Sequence, residues 1–442
     1  MNPDTAVRSV SEWRAVLAEV DQAGLCAHPV RLRGVSLDRS TGELAEGALL
    51  VPCKDRRAAV CPSCSRLYQA DAWQLVAAGI RGGKGVSPEV AGHPQLFITL
   101  TAPSFGPVHR TDPGGVSRPC RPRRTAGRCP HGRPLSCTLR HDKDSAAVGE
   151  PLCPECFDYR GAVLWNAHVS RLWGRTCDRL YREVARAGGV SARELRSVAR
   201  LSYMKVVEFQ ARGLVHLHVV LRADGGAGPS EAPPAWLDAA VLTEAIRQVV
   251  SQVGVPVPGV EESGLRRARW GSQYDVRVLL SQDHADATAI AAYVAKYATK
   301  TADGTPWLAH RIRTRAQIER LVLRPHIVAM VKTAWALGGR RNLAPLRLRD
   351  HAHTLGYPGQ FSSKSVRFST TFTALRQARS EYVRRDALGD FDYDGEWRYA
   401  GRGYANADSD TLAKTLLDAR PKALRKVPPG SQSGSQVSSQ CP

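Results

Sequence analysis

The sequence predicts an α+β fold: a central antiparallel sheet flanked by helices. Three observations lead there. The run LFITLTAPS (96–104) is short, apolar and β-branched, closed by Pro103 and Gly106, as a buried strand should be. YMKVVEF (203–209) and LVHLHVVL (214–221) are two further strand-like runs joined by a tight Gln-Ala-Arg-Gly turn, which makes them an antiparallel hairpin. Residues 160–187 and 285–301 carry apolar side chains at helical spacing and supply layers to cover such a sheet.

The remaining elements follow in order. Residues 8–24 read as a short amphipathic helix with Trp13, Val16, Leu17 and Val20 on one face and Ser9 or Ser11 as N-cap. VRLRGVSLD and GALLVPC form a strand-and-turn region. Residues 61–81 hold a CPSC knuckle followed by a helix through Leu67, Trp73, Leu75 and Val76. A Gly/Pro linker at 223–234 precedes a helix at 236–253, WGSQYDVRVLL (270–280) is strand-like, and a helix covers 315–338. The stretch 366–384 is β-rich and then helical. After Pro421 the chain is basic and then Ser/Gln-rich, the composition of a disordered tail.

At 442 residues the chain is too long for one compact domain, and its 43% hydrophobic content is enough for a sizeable core. No apolar run approaches the ~18 residues of a membrane span and no segment has a signal-peptide layout, so the expected location is the cytoplasm. Lys and Arg outnumber Asp and Glu 62 to 41, a net +21, which calls for a polyanionic partner, with nucleic acid ahead of a membrane surface. The basic clusters are Arg56-Arg57, Arg121 with Arg123-Arg124, Arg266-Arg267 with Arg269, and Arg340-Arg341. Each alone fits a solvated face; together they predict salt-sensitive binding to phosphates. Trp270 and Tyr274 are candidates to stack on unpaired bases, though a core role fits them at least as well. Gly82-Gly83-Lys84-Gly85 lacks the spacing of a phosphate loop, and the chain has no ATPase motif.

Two constellations carry chemistry. His216 and His218 alternate on a predicted strand, so both imidazoles leave one face and together form a bidentate site for a divalent metal. An isolated H-x-H is more often two surface histidines, but these sit inside an apolar run where unpaired imidazoles would be costly. Glu208, on the preceding strand, reaches the same place across the turn and can add a carboxylate oxygen. The second constellation is Tyr293, Lys296, Tyr297 and Lys300, at 3- and 4-residue spacing on one helix. A phenol with a pKa of ~10 is a poor nucleophile at neutral pH, but a neighbouring ammonium and a metal polarising the phosphate make its attack feasible. Two core tyrosines would be the simpler account of that pair taken alone.

Nine of the eleven cysteines lie between Cys26 and Cys156. Without an export signal, such clustering points to metal rather than disulfides. Cys61-Pro-Ser-Cys64 and Cys153-Pro-Glu-Cys156 are knuckles able to form one tetrahedral zinc site; Cys120, Cys129, His131, Cys137 and His141 suffice for a second, with Cys53 a further candidate. Residues 107–157 are too poor in periodic apolar residues to fold without such a staple. Cys26, Cys177 and Cys441 fit unligated thiols. A redox role for the C-P-x-C knuckles is the lesser reading, because no thioredoxin-like pattern surrounds them.

LFITLT, then EFQARGLVHLHVV, then AAYVAKYATK resemble the three ordered motifs of rolling-circle replication initiators of the HUH endonuclease superfamily. The YVAKY core resembles two-tyrosine initiators of small icosahedral phages. The CPSC knuckle with SRLYQADAW, TLTAPSFGPVH and FQARGLVHLHVV are similar to actinobacterial initiators of plasmids and integrative conjugative elements. The likeness runs from about residue 50 to 380. It implies a sheet carrying the histidine pair and a catalytic Mg2+ or Mn2+ on His216, His218 and Glu208; the structural zinc ligands, put forward by cysteine spacing rather than by the likeness, are Cys61, Cys64, Cys129, Cys137, Cys153 and Cys156. The likeness further implies nicking of one origin strand through a tyrosine–5′-phosphate link, leaving a 3′-OH to prime synthesis. Tyr297 matches the nucleophile of single-tyrosine relatives, Tyr293 serves a second transfer, and Lys296 and Lys300 steady the phosphate. Implied partners are origin DNA, single-stranded at the nick, with a host helicase and single-strand binding protein.

The implied organisation is an N-terminal region at 1–95, an endonuclease domain at 96–305 with a zinc insertion at about 107–157, a helical and β region at 306–420 with a role in origin binding, and a tail at 421–442. A two-tyrosine transposase shares the same motifs, and a zinc-containing DNA-binding regulator without nuclease activity is the alternative from another class.

Overall fold

The computed structural model describes residues 9–38, 42–58, 60–111, 118–123, 127–142, 144–260, 263–279, 284–300, 310–388 and 393–419; some side chains within these spans, those at 297–300 among them, lie outside the description. The helices are α1 (Val10–Gln22), α2 (Pro62–Arg81), α3 (Tyr159–Ala187), α4 (Ala192–Val198), α5 (Ala239–Gln252), α6 (His284–Lys300), α7 (Arg315–Glu319), α8 (Pro325–Leu337), α9 (Phe372–Leu388) and α10 (Ala407–Ala419). The strands are β1 (Val30–Asp38), β2 (Leu44–Val51), β3 (Gln95–Leu100), β4 (Ala199–Phe209), β5 (Val215–Gly225), β6 (Gly254–Pro256), β7 (Arg267–Arg269), β8 (Tyr274–Val278), β9 (Ser362–Lys364) and β10 (Tyr393–Arg402). The mixed architecture with antiparallel sheets is the one the sequence predicts.

The chain divides into two compact units. The first gathers residues 1–55, 60–64 and 390–442, so the two ends of the sequence share a fold. Its sheet has the order β10-β1-β2, all antiparallel. α1 opens with a capping box between Ser9 and Glu12, and its Val20 packs with Leu25 and with Ala413 of α10. The tail at 421–442 and Cys441 lie outside the described residues.

The second unit holds a five-stranded antiparallel sheet, order β8-β3-β5-β4-β9. Alternation gives this sheet two apolar faces. Leu96, Ile98, Leu100, Leu217, Val219 and Leu221 point to one, into a large core with α3, α5 and α8. Phe97, Met204, Val206 and Val220 point to the other, against Leu75, Val76 and Ile80 of α2 and Ala291, Val294 and Ala295 of α6. On the second face the buried Arg222 donates to Asp224 (2.6 and 3.0 Å), and Asp224 also accepts from Ser202 (2.8 Å) and faces His93 Nδ1 at 2.9 Å. Both charges of this buried pair are answered, the condition for keeping ions in a core.

Two sequence readings are redrawn. WGSQYDVRVLL holds a shorter strand than expected: β8 covers only Tyr274–Val278, residues 270–273 link it to β7, and Trp270 is buried with its indole N–H on Thr176 Oγ1 (3.0 Å), so for Trp270 the core role holds over base stacking. The helix expected over 315–338 is two, because Pro325 starts α8 at a position where its missing N–H costs nothing.

Candidate active site and metal clusters

The β4–β5 ladder pairs Glu208 directly with His216, and Val206 with His218. The β3–β5 ladder sets Thr99 beside His218. His216, His218, Glu208, Thr99 and Phe97 therefore emerge from one sheet face, beneath α6. His216 and His218 meet with ring centroids 4.6 Å apart. His218 is 2% exposed, with Thr99 Oγ1 3.3 Å from its Nδ1 and Glu208 Oε2 3.6 Å from its Nε2. Gln210 approaches His216 Nδ1 with its amide nitrogen at 3.3 Å, and its own carbonyl accepts from Arg212 Nε at 2.8 Å. Burial first, then the neighbouring His218, lowers the His216 pKa to about 4, so this imidazole is neutral at physiological pH and keeps a lone pair for a metal.

α6 lays Tyr293 over the pair. Its ring meets His218 edge-on, centroids 5.1 Å apart, and Phe97 at 5.6 Å, while 38% of the side chain stays exposed. Lys296, one turn on, is exposed. The side chains of Tyr297 and Lys300 lie outside the described residues. The first motif contributes more than a strand: Phe97 stacks on His218 (5.9 Å, 3° between planes) and Thr99 touches its ring. Thr99, Gln210 and Arg212 are site residues that motif spacing alone does not single out. Gln210 and Arg212 stand inside the quoted FQARG turn, where polar side chains between two apolar strands were the available signal.

Among the described residues, cysteines and histidines form three four-donor clusters able to hold a metal such as zinc: Cys26–Cys53–Cys61–Cys64, His109–Cys120–Cys137–His141, and Cys129–His131–Cys153–Cys156. In the first, Cys61 and Cys64 each lie 3.7 Å from Cys26, and Cys53 lies 3.7 Å from Cys64. A zinc tetrahedron with Zn–S of about 2.3 Å has sulfur–sulfur edges of about 3.8 Å, so the donors fit. Backbone N–H groups of Ala27 and Cys53 point at Cys61 and Cys26 (3.4 and 3.2 Å), the usual support of metal thiolates. Hydrogen bonding with Cys26 and Cys64 holds Cys61 far below the ordinary thiol range, while burial pushes Cys53 up to about 12. In the second, His109 Nδ1 lies 3.1 Å from His141 Nε2, which is 3.5 Å from Cys137 Sγ. In the third, His131 Nδ1 lies 3.3 Å from Cys156 Sγ.

This grouping differs from a single site made by the two knuckles. Cys61 and Cys64 cluster with Cys26 and Cys53, Cys153 and Cys156 with Cys129 and His131, and Cys137 belongs to another cluster. Cys26 is thus a cluster member, not a solitary thiol. Sequence spacing could not reveal this, because Cys26 is brought in by the end of α1 and Cys53 by the end of β2.

Charge separates between the units. The first contains 13 Lys and Arg against 15 Asp and Glu, the second 49 against 26. All four basic clusters named above belong to the second unit. No described helix is long and apolar enough to cross a membrane.

An antiparallel sheet presenting a histidine pair and a glutamate beneath a tyrosine thus belongs to a strongly basic unit, in a chain that also carries cysteine clusters. Comparison with known proteins gives the class. Residues 12–418 match the RepSA family, the replication initiator protein of pSAM2. The chain is 40% identical over 456 aligned positions to a replication initiator protein of Streptomyces ambofaciens, covering 95% of this chain and 94% of that one. The chain therefore belongs to the RepSA family of replication initiator proteins. No solved structure matches it.

Proposed function

We propose that this initiator nicks one DNA strand at its origin by tyrosine transesterification and so starts rolling-circle replication. The observation that carries this reading is the Tyr293 phenol on the His218 ring, beside Glu208. The imidazoles of His216 and His218 and the Glu208 carboxylate form a donor set for Mg2+ or Mn2+, and the 3.6 Å between His218 Nε2 and Glu208 Oε2 is close to the ~3 Å edge of two ligands on one ion. Bound there, the ion would supply Lewis-acid polarisation of the scissile phosphate.

The rest falls to the chain. Thr99 and Gln210 orient the imidazoles. A phenol oxygen of Tyr293 or Tyr297 forms the new bond to phosphorus while the bond to the 3′ oxygen breaks. The phenol proton leaves to solvent or a basic group, and the departing oxygen takes up a proton as a 3′-OH. Lys296 and Lys300 balance the phosphate charge. Two tyrosines on one helix allow a second transfer while the first still holds DNA. The basic second unit is the DNA-binding body, with a host helicase and single-strand binding protein acting on the opened origin. The three clusters hold structural zinc.

End-labelled single-stranded origin DNA tests the reading. Cleavage should require Mg2+ or Mn2+, stop on chelation, and fall at least ~100-fold in His216→Ala, His218→Ala and Glu208→Ala, with DNA binding retained. Cleavage that survives chelation, or is unchanged in the histidine variants, would overturn it.

A further inference from the structure

The turn between Glu208 and His216 is gripped from outside the sheet. Arg212 donates its two Nη groups to the carbonyls of Pro103 and Ala102, both at 3.0 Å, and its own carbonyl lies 2.9 Å from His326 Nε2. Arg324 donates to the carbonyl of Ala211 at 2.7 Å and, with its other Nη, to that of Val148 at 2.6 Å. One guanidinium thus ties the turn to the last loop of the 107–157 segment. The next residue, Gly149, has φ +89° and lies so close that a Cβ on it would overlap the Ala211 carbonyl. His326 completes the bracket by donating its backbone N–H to the Glu150 carboxylate at 3.2 Å.

That loop is fastened in turn to a cluster ligand. The Gly149 N–H donates to the His109 carbonyl at 2.9 Å, and the His109 N–H to the Glu150 carbonyl at 2.8 Å. His109 is one corner of the His109–Cys120–Cys137–His141 cluster. A metal ion there fixes His109, His109 fixes residues 149–150, and those residues back the turn at Ala211. The Glu208–His216 pair is next to last in its ladder, followed only by Phe209–Val215 and the turn, so the turn's conformation sets how these two side chains are presented.

We infer that the metal held by His109, Cys120, Cys137 and His141 braces the 210–213 turn and thereby positions His216 and Glu208 for the divalent ion of the cleavage site. The inference rests on the proposed ion site and assigns the cysteine-rich segment a positioning role. Gly149, Arg324 and His326 are its positioning residues.

Zinc content, Mn2+ binding by calorimetry, and hydrogen exchange at the 210–216 amides test it on the full chain. His141→Ala should lose one zinc equivalent, bind Mn2+ at least ~10-fold more weakly and exchange faster at the turn, the size expected when a support of a metal ligand is removed. Gly149→Ala should keep its zinc and show the same two defects. Arg324→Met should do so more mildly, and guards against misfolding of the glycine variant. Cys26→Ser should lose one zinc and leave Mn2+ binding and exchange unchanged. Wild-type Mn2+ affinity and wild-type exchange in zinc-depleted His141→Ala would overturn the brace. If His216→Ala binds Mn2+ as tightly as wild type, the ion site itself fails, and exchange at 210–216 alone then decides the brace.

Discussion

The His218 imidazole and the Tyr293 phenol ring meet edge-on, 5.1 Å between centroids and 89° between planes. They are 75 residues apart in sequence and come from different elements, β5 and α6. Their contact sets the donor set proposed for a divalent metal beside the tyrosine proposed as nucleophile. Phe97 touches both rings, so all three sequence motifs converge on one point.

Zinc content is the first expectation. Purified protein should carry three equivalents, not the one or two that cysteine spacing suggests. Cys26→Ser should lower this to two and lower the melting temperature of the first unit, since structural zinc contributes directly to folding. Elemental analysis with a thermal melt reads both, and an unchanged zinc content would remove Cys26 from the ligand set.

Lys205 gives a pH-dependent expectation. It is 7% exposed, and burial pulls its pKa down to about 8. Between pH 8 and its ordinary value of 10.5 the unfolded chain binds the extra proton, so stability should rise across that window. Below pH 8 the folded protein bears the full cost of the buried charge. Lys205→Met should therefore stabilise by about 1–3 kcal/mol at pH 7, with the gain vanishing above pH 10.5. Urea melts at pH 7 and pH 10.5 measure it; destabilisation at pH 7 would show a favourable role for the ammonium.

The charge division predicts where DNA binds. Arg340→Ala with Arg341→Ala in the second unit should flatten the dependence of log affinity on log salt by up to about two, one for each phosphate left without its cation. Arg33→Ala with Arg398→Ala in the first unit should leave the slope unchanged. A reversed pattern would place the DNA on the first unit.

Much of the architecture was legible because local signals and tertiary structure agree. The Ser9–Glu12 cap, the β-branched run of β3 and the QARG hairpin each state their element, and alternation along β5 puts His216 and His218 on one face. What stayed hidden is what depends on distant partners. β10 pairs with β1 from the opposite end of the chain, and nothing local in either strand announces it. The knuckles mark metal chemistry, but their companions Cys26, Cys53, Cys129 and His131 are chosen by how loops return. Gln210 and Arg212 were visible as polar turn residues, yet their role emerges only once Ala102 and Pro103 accept from Arg212.

Covalent capture of the origin strand tests the central claim most directly. Wild-type protein with single-stranded origin DNA and Mn2+ should give a denaturant-resistant adduct, with mass spectrometry placing the 5′-phosphate on Tyr293 or Tyr297. Tyr293→Phe and Tyr297→Phe should each keep part of the adduct, and the double variant should lose it entirely while still binding DNA. An adduct that persists in the double variant, or tight salt-sensitive binding with no adduct on any origin strand, would contradict the account.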